Sequence, residues 1–420
     1  MITDGATRYS PLARRLIAGQ LLVGIGNGLV IPIWFLFLDQ VRGFGPGVAG
    51  MSFALRAVAL IAVAPIAGWV MDHRGTRSVF LAGTVLTLFG AIGMGMFRSP
   101  VPVLLSSLAM GAGIACTTPA TRGILLQSVP LSWRSRAATT SFMMWNLGLG
   151  TGSLLGGLIA DPMHPVTFEL LFISLAALGV LTKVIYIPAM PKRRAAEPPS
   201  AGCDKAPFTL QPAFLCYLAL AGLLQLVGYG QANSGLPGMA TTVLGVSPKI
   251  IGFALAVNTA VILLTSPFTR RMARGNPAWS LGAVGLLWAA GWALVEVGAL
   301  TGRTDLIVVT IFGFYALFGI GEVMLAASAS PLVADLAPSG GLGRYLGIDM
   351  FIRQLGMALG PLTSAVFIAQ AWVHPYFALS AGVCLLAAIF ALPLSRLVVG
   401  DSEPVPTGKD GADVRPSTRS

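Results

Sequence analysis

The chain alternates between long apolar stretches and short polar connections. Twelve stretches reach the length of about 20 mostly apolar residues that a helix needs to cross a bilayer, and most charged residues lie between them. The pattern therefore predicts twelve membrane-spanning helices. Their expected bounds are 14–38, 47–71, 79–97, 101–126, 138–160, 166–188, 211–234, 247–269, 278–300, 306–332, 345–369 and 374–398.

Composition excludes a soluble domain and supports this all-α membrane class. Of the 420 residues, 55% are hydrophobic and only 10% are charged, which is incompatible with a water-exposed surface around a chain of this size. The abundance of Gly suits helices that approach closely in lipid, where no hydrophobic force drives them together.

The two parts of the chain repeat each other at a shift of 208 positions. Leu147, Gly148 and Gly152 then align with Leu355, Gly356 and Gly360. The same shift pairs four further residues, Gly111, Gly113, Pro130 and Arg136, with Gly319, Gly321, Pro338 and Arg344. We therefore expect two pseudo-symmetric six-helix halves, residues 1–188 and 211–400, joined by a cytoplasmic linker (189–210) and followed by a disordered tail (401–420). Parallel repeats place a substrate path at the interface of the halves.

Basic residues indicate the orientation. With both termini in the cytoplasm, 19 of the 27 Lys and Arg residues fall in cytoplasmic segments and four in outside loops, while four lie inside helices. This asymmetry predicts a multi-pass protein of the cell membrane with cytoplasmic termini. It also accounts for the net charge of +11, so the charge does not indicate a nucleic-acid partner.

Polar residues in the first helix share one face. Gln20, Asn27 and Trp34 are separated by steps of seven residues, and polar groups in a span usually face the interior of the bundle. We interpret this helix as lining a cavity, with Thr117 of the fourth helix as a further contact. The alternative is that the amides only form hydrogen bonds with neighbouring helices.

The second half carries a carboxyl group near the middle of a span. Glu322 shares a face of the tenth helix with Tyr315, while Gln225 and Tyr229 lie four residues apart in the seventh. An intramembrane carboxyl group is a functional candidate by default. Since its charge depends on burial and neighbouring cations, Glu322 is a candidate proton or substrate site. The alternative is a fixed ion pair with Arg56 or Arg122.

Three more charged residues in the spans are candidates for gating or for a structural role. Asp349 and Arg353 have the four-residue spacing that favours an ion pair within one helix. Arg122 follows Pro119 near the inner end of the fourth helix, where it is either a gating residue or an arginine that extends to the membrane surface.

The segment 68–77, GWVMDHRGTR, follows the second predicted helix and resembles the signature of the major facilitator superfamily. Gly68, Asp72, Gly75 and Arg77 agree with that signature, Arg74 adds a basic group, and His73 and Thr76 occupy positions where the family usually has Arg. The resemblance implies a twelve-helix transporter in which this turn latches onto the second half and stabilises the outward-open state.

A glycine series in the fifth helix resembles the motif of the family's antiporters. Its residues are Gly148, Gly152, Gly156 and Gly157, with Ser153 where proline is usual, and the second half keeps Gly356 and the Gly360-Pro361 pair. The resemblance implies exchange of a drug or metabolite for protons through a helix that can bend. The alternative is a face of small residues that serves only packing.

The expected function is export of a small, lipophilic or weakly cationic compound by alternating access, in exchange for protons. An uptake symporter or facilitator, or a lipid flippase, is the alternative. The three histidines lie at or beyond the ends of the predicted spans, away from any plausible nucleophile or metal cluster, so we expect no enzyme activity, no metal and no cofactor. One chain holds a complete pathway, which predicts a monomer whose partners are its substrate, protons and lipid.

Overall fold

A computed structural model describes residues 9–161, 163–187, 210–272, 276–338 and 341–400. The predicted tail and all of the predicted linker except residue 210 lie outside these ranges. Eleven helices in the described ranges are long and apolar enough to span a membrane, and two shorter pieces that meet at 41° supply a twelfth. The chain therefore has the all-helical membrane architecture that its sequence predicts.

We number the spans α1 to α12. The first, α1, consists of Pro11–Val30 and Trp34–Val41. The others are α2 (Pro46–Arg74), α3 (Thr76–Met96), α4 (Pro100–Gln127), α5 (Arg134–Ile159), α6 (Val166–Tyr186), α7 (Pro212–Val243), α8 (Pro248–Met272), α9 (Pro277–Leu300), α10 (Thr304–Leu336), α11 (Leu342–Ala369) and α12 (Val373–Gly400).

Two spans contain irregularities that the expected bounds do not describe, for identifiable reasons. The break in α1 falls at residues 31–33, next to Pro32, because proline cannot donate the next helical hydrogen bond. Helix α7 continues to Val243, nine residues past its predicted end, because π-helical turns with i to i+5 hydrogen bonds accommodate the sequence around Pro237.

Each of the three larger hydrophobic clusters lies within a single half of the bundle, either α1–α6 or α7–α12. The largest apolar cluster contains only residues of α7–α12, and two others belong to α1–α6. A small cluster joins Leu60, Ala64 and Ala115 to Met350 of α11. We call the surface between α1–α6 and α7–α12 the seam. The helices that meet across it are chiefly α2 with α11, α5 with α10, and α5 with α8.

Glycines bring α1 and α5 into backbone contact. A β-carbon on Gly148 would overlap the Leu21 carbonyl, and one on Gly152 or Gly156 would overlap the carbonyl of Ile25 or Leu29. Helix α11 repeats this packing against α7, where Gly356 lies on Gly222 and Gly360 on Gly230. The residues that align at the 208-residue shift therefore occupy equivalent helix contacts.

Gly157 differs from the other glycines of the series, because a β-carbon there would meet nothing within 4 Å. This contrast provides a matched test. We expect Gly152→Ala to lower the thermal unfolding temperature, because the added methyl group forces α1 and α5 apart, at a cost of about 1–3 kcal/mol. Gly157→Ala adds the same group in open space and should leave the temperature unchanged or raise it. Fluorescence-monitored unfolding in detergent measures both; equal shifts would contradict the packing role of Gly152.

Candidate functional site

Glu322 lies buried in α10, with 5% of the residue exposed. Its Oε2 atom accepts a hydrogen bond of 2.8 Å from Asn258 Nδ2 of α8, and Tyr229 of α7 lies close to the same carboxyl group. Asn258 also reaches the backbone oxygen of Tyr315 at 3.3 Å. Three helices thus converge on one carboxyl group.

Within the described ranges, no Lys, Arg or His nitrogen lies within the 4.0 Å ion-pair distance of Glu322. The alternative of a fixed pair with Arg56 or Arg122 is therefore not the arrangement of this structure. Arg56 instead lies 5.3 Å above the ring of Trp34, and Arg122 faces Asp349. The polar side chains next to the carboxyl group, Asn258 and Tyr229, are an amide and a phenol.

An aromatic cluster lies next to this carboxyl group: Phe318 is one helical turn before Glu322 in α10, and Tyr229 lies close to the carboxyl group. Tyr229 packs edge-on against Phe318 and Trp288, with ring centroids 5.5 and 6.2 Å apart, and Trp288 lies 4.7 Å from Phe318. The Trp288 indole is held in place because its Nε1 donates to the Phe318 backbone oxygen at 3.1 Å. Glu322, Asn258, Tyr229, Trp288 and Phe318 form what we call the Glu322 pocket.

Local irregularity of α7 positions Tyr229. Residues Gln225–Tyr229 form a π-helical turn, closed by the Gly230 N–H donating to the Gln225 oxygen. Such wider turns are frequent at functional sites because they redirect side chains from the regular helical face. Gln225 is buried beside Gly356 of α11, so it lies where α7 meets α11.

Tyr315 lies in α10, seven residues (about two helical turns) before Glu322. Its hydroxyl group donates to the Ala232 oxygen of α7 at 2.7 Å, and the residue is fully buried. Its side chain therefore joins α10 to α7, and its backbone oxygen accepts the hydrogen bond from Asn258.

The structure separates the predicted residues of the first half from the Glu322 pocket. Gln20 lies close to the Tyr186 hydroxyl group, Asn27 donates to Val23 in its own helix, and the buried Trp34 donates to Ser52 at 2.9 Å. Thr117 places its methyl group beside Gly83 of α3. All of these contacts lie within α1–α6. The spacing of the residues identified the helical face that they share, but not the neighbouring helix that this face contacts.

Asn258 and Trp288 belong to the pocket but were not predicted. Asn258 had a usable signal, because it is an amide in the middle of the apolar run 247–269. Trp288 had no such sequence signal, because tryptophan is also an ordinary core residue of membrane helices. Only its contacts in the structure identify it.

A second polar group lies at the seam. Asp349 is fully buried, and its Oδ1 accepts hydrogen bonds from Tyr217 at 2.6 Å and from Arg353 Nε at 2.8 Å. The ion pair within α11 that the spacing predicted is thus present. Asp349 Oδ2 lies 3.8 Å from Arg122 Nη1 of α4, across the seam. We call Arg122, Asp349, Arg353 and Tyr217 the seam cluster.

Asp72 connects the two sides of the seam at one end of the bundle. Its carboxylate accepts hydrogen bonds from the backbone N–H groups of Gly343 and Arg344, at 2.7 and 2.9 Å, and from Arg344 Nε at 3.0 Å. These N–H groups form the amino terminus of α11, where a negative charge is favourable. We call this the Asp72 end.

Glycines permit the close contact at the Asp72 end. Gly68 lies against the Gly343 backbone, and Gly75 has a φ of +87°, which lets the chain turn sharply into α3. Arg74 is exposed and Arg77 half-buried. A second ion pair, between Arg134 of α5 and Asp335 of α10, also crosses the seam at this end.

The sequence model of the Major Facilitator Superfamily matches residues 16–315 and 218–418. The chain belongs to this family. It is therefore a membrane transporter for small molecules and not an enzyme.

Known relatives agree with this assignment. The transporter is 25% identical over 374 residues to the Multidrug resistance protein MdtH of Aeromonas hydrophila, covering 86% of this chain and 87% of that one. It is 22% identical over 391 residues to the Uncharacterized MFS-type transporter YhjO of Bacillus subtilis, covering 92% and 93%.

Solved structures share the fold at low identity. A bacterial homologue of the iron transporter ferroportin has a TM-score of 0.74 at 14% identity, with 92% of this chain and 99% of that chain covered. The proton:xylose symporter XylE has a TM-score of 0.71 at 13% identity, with 93% and 95% covered. The names of these two structures refer to different cargo, iron and xylose, so the family assignment leaves cargo and direction open.

Proposed function

We propose that this transporter exports a small, lipophilic or weakly cationic compound in exchange for protons, and that the proton and a cationic cargo compete at Glu322. The observation that carries the proposal is a buried carboxyl group that accepts a hydrogen bond from an amide, lies close to a phenol and has no basic side chain at ion-pair distance among the described residues. Gln225 and Tyr315 lie nearby, where α7 contacts α11 and α10 respectively.

Competition follows from the cost of a buried charge. An ionised carboxylate inside a membrane protein is unfavourable unless a cation or strong donors compensate it. A bound proton removes the charge, and a cationic cargo neutralises it. Either one lowers the affinity for the other, and this mutual exclusion is what exchange requires.

The aromatic walls indicate the chemistry of the cargo. Tyr229, Trp288 and Phe318 offer ring faces and edges beside the carboxyl group, which suits a lipophilic compound with a positive or polarised group through apolar contact and cation–π attraction. The name of the relative MdtH, a multidrug resistance protein, also supports export of such compounds.

Alternating access requires a closed end that opens. The hydrogen bonds of Asp72 and the pair of Arg134 with Asp335 close the Asp72 end in this structure. We propose that this end faces the cytoplasm, as the basic residues indicate, in a monomeric protein of the cell membrane. The glycine contacts of α5 and α11, with Pro361 inside α11, would then serve as the surfaces on which the helices adjust.

The test is transport into proteoliposomes with an imposed pH gradient. We expect a lipophilic cation to accumulate when the vesicle interior is the acidic side, and its addition to dissipate the gradient. Protein-free liposomes and vesicles without a gradient are the controls. Accumulation only when the outside is acidic would establish the alternative, a symporter, and uptake independent of the gradient would establish a facilitator.

A further inference from the structure

The seam cluster carries an excess of positive charge. Asp349 is neutralised by Arg353, its partner at 2.8 Å, and receives a further hydrogen bond from Tyr217. Arg122 adds a second guanidinium group at 3.8 Å, beyond hydrogen-bonding distance. Two cations and one anion leave a net charge of +1 at the seam.

This excess charge lies between the Glu322 pocket and the Asp72 end. At a rise of 1.5 Å per residue, Arg122 lies about 8 Å from the end of α4, and Asp349 and Arg353 lie about 10 and 16 Å from the start of α11. Glu322 lies about 21 Å from the end of α10. Asp72 joins the start of α11 to the end of α2, and Arg134 joins the ends of α10 and α4 through Asp335 and the Leu126 oxygen, so these helix ends lie at the same end of the bundle.

The seam is narrow at this level but accessible at Arg122. Gly123, the next residue, faces Met71, Leu342 and Leu346, and an apolar cluster that includes Met350 joins the two sides. Arg122 nevertheless keeps 40% of its side-chain surface accessible. A small ion or a hydrated proton that entered this recess would meet the guanidinium group.

Other charged groups do not cancel this positive charge. Those that face Glu322 or Arg122 in the described ranges are Tyr217 and Tyr229 on α7 and Asp349 and Arg353 on α11. Helices α8 and α9 contribute the neutral Asn258 and Trp288. Arg56 on α2 would add to the positive charge, not reduce it.

We propose that the Arg122–Asp349–Arg353 cluster is an electrostatic barrier that prevents protons and small cations from leaking between Glu322 and the closed Asp72 end. The inference rests on the proposed role of Glu322 and concerns a different property, the tightness of coupling. The field of a fixed charge is strong in a narrow protein-lined seam and weak in a wide aqueous one. Opening of the Asp72 end therefore removes the barrier at the step when cargo must pass.

The experiment measures proton flux without cargo. Full-length protein in liposomes with an internal pH dye is exposed to a potassium gradient with valinomycin, which drives protons inward. We expect Arg122→Gln to increase this flux roughly ten-fold, the effect of removing one unit charge at roughly 10 Å in a medium of effective dielectric constant about 20. Arg122→Lys, which keeps the charge, should retain the wild-type flux.

Controls separate charge from structure and from the proposed function. Lys183→Gln removes an intramembrane cation that lies over Phe80 in α1–α6, away from the seam, and should leave the flux unchanged. Arg122→Met keeps the apolar stem and replaces the Gln variant if that variant does not fold. Wild-type flux in a folded neutral variant would overturn the barrier. The leak of the Arg122→Gln variant is also measured with Glu322→Gln added. A leak that is raised in the single variant and persists in the double variant would support the barrier and reject Glu322 as the proton carrier.

Discussion

Replacing Glu322 by Gln is expected to abolish proton-driven export while leaving the protein folded and inserted. Gln has the same shape and keeps an oxygen for Asn258, whose amide donates to Glu322 at 2.8 Å. It has no group that titrates, so the pocket can no longer alternate between a proton and a cationic cargo. Cargo flux under a pH gradient should fall to that of protein-free liposomes, whereas exchange of cargo for cargo should continue if binding relies on the aromatic walls.

Glu296→Gln is the matched control for this variant. Glu296 is a carboxylate of α9 paired with His374 at 2.8 Å, near the end of the bundle opposite Asp72. The same chemical change there should leave proton-driven export at the wild-type rate. The pair of variants therefore separates a general effect of losing a carboxylate from a specific one. Wild-type export by the Glu322 variant would exclude this residue from the coupling mechanism.

The second large effect is expected from Asp72→Asn. The change keeps the size of the side chain but removes the charge that accepts from two backbone N–H groups and from Arg344 Nε. Hydrogen bonds to a charged group contribute about 1.5–3 kcal/mol, and this residue is buried in the closed end. The conformation closed at the Asp72 end should lose about 1–3 kcal/mol relative to the open one, a shift of about 5- to 150-fold in their ratio.

Distances between spin labels at Ser78 and Gln211 measure this shift. These exposed positions lie near the Asp72 end on opposite sides of the seam, and the labelled protein must lack its native cysteines. We expect Asp72→Asn to increase the population at the longer distance, although the Arg134–Asp335 pair still favours closure. Asp161→Asn, an exposed carboxylate in the α5–α6 loop, should leave the distribution unchanged. The latch interpretation fails if the two variants behave alike.

The candidate site was partly visible in the sequence, for a physical reason. Lipid offers no solvation to a carboxyl group, so Glu322 stood out from its apolar surroundings before any contact was known. The partners of Glu322 are a different matter. Asn258 reaches it from α8, and Trp288 of α9 packs on the neighbouring backbone of Phe318 and Gly321. Sequence spacing within one helix contains no information on which other helix lies alongside.

The residues of α1 illustrate this limit. Gln20, Asn27 and Trp34 do share a helical face, but helix–helix packing commits Gln20 to Tyr186 and Trp34 to Ser52. Similarly, Gly152 and Gly157 look equivalent in a glycine series, whereas only Gly152 lies against another backbone. Periodicity identifies which residues lie together on one helix, and tertiary packing decides what they contact.

The sequence by itself determined the membrane class, the twelve spans, the repeat at 208 positions and the family. These properties depend on the local balance between apolar and polar residues and on charges at the helix ends, which any helix in lipid must satisfy. Only the tertiary structure decided that Asp72 caps α11, that Arg122 faces Asp349, and that Glu322 is hydrogen-bonded to Asn258 with no basic side chain at ion-pair distance in the described ranges. Those pairings join residues from different helices, and their geometry arises when the bundle packs.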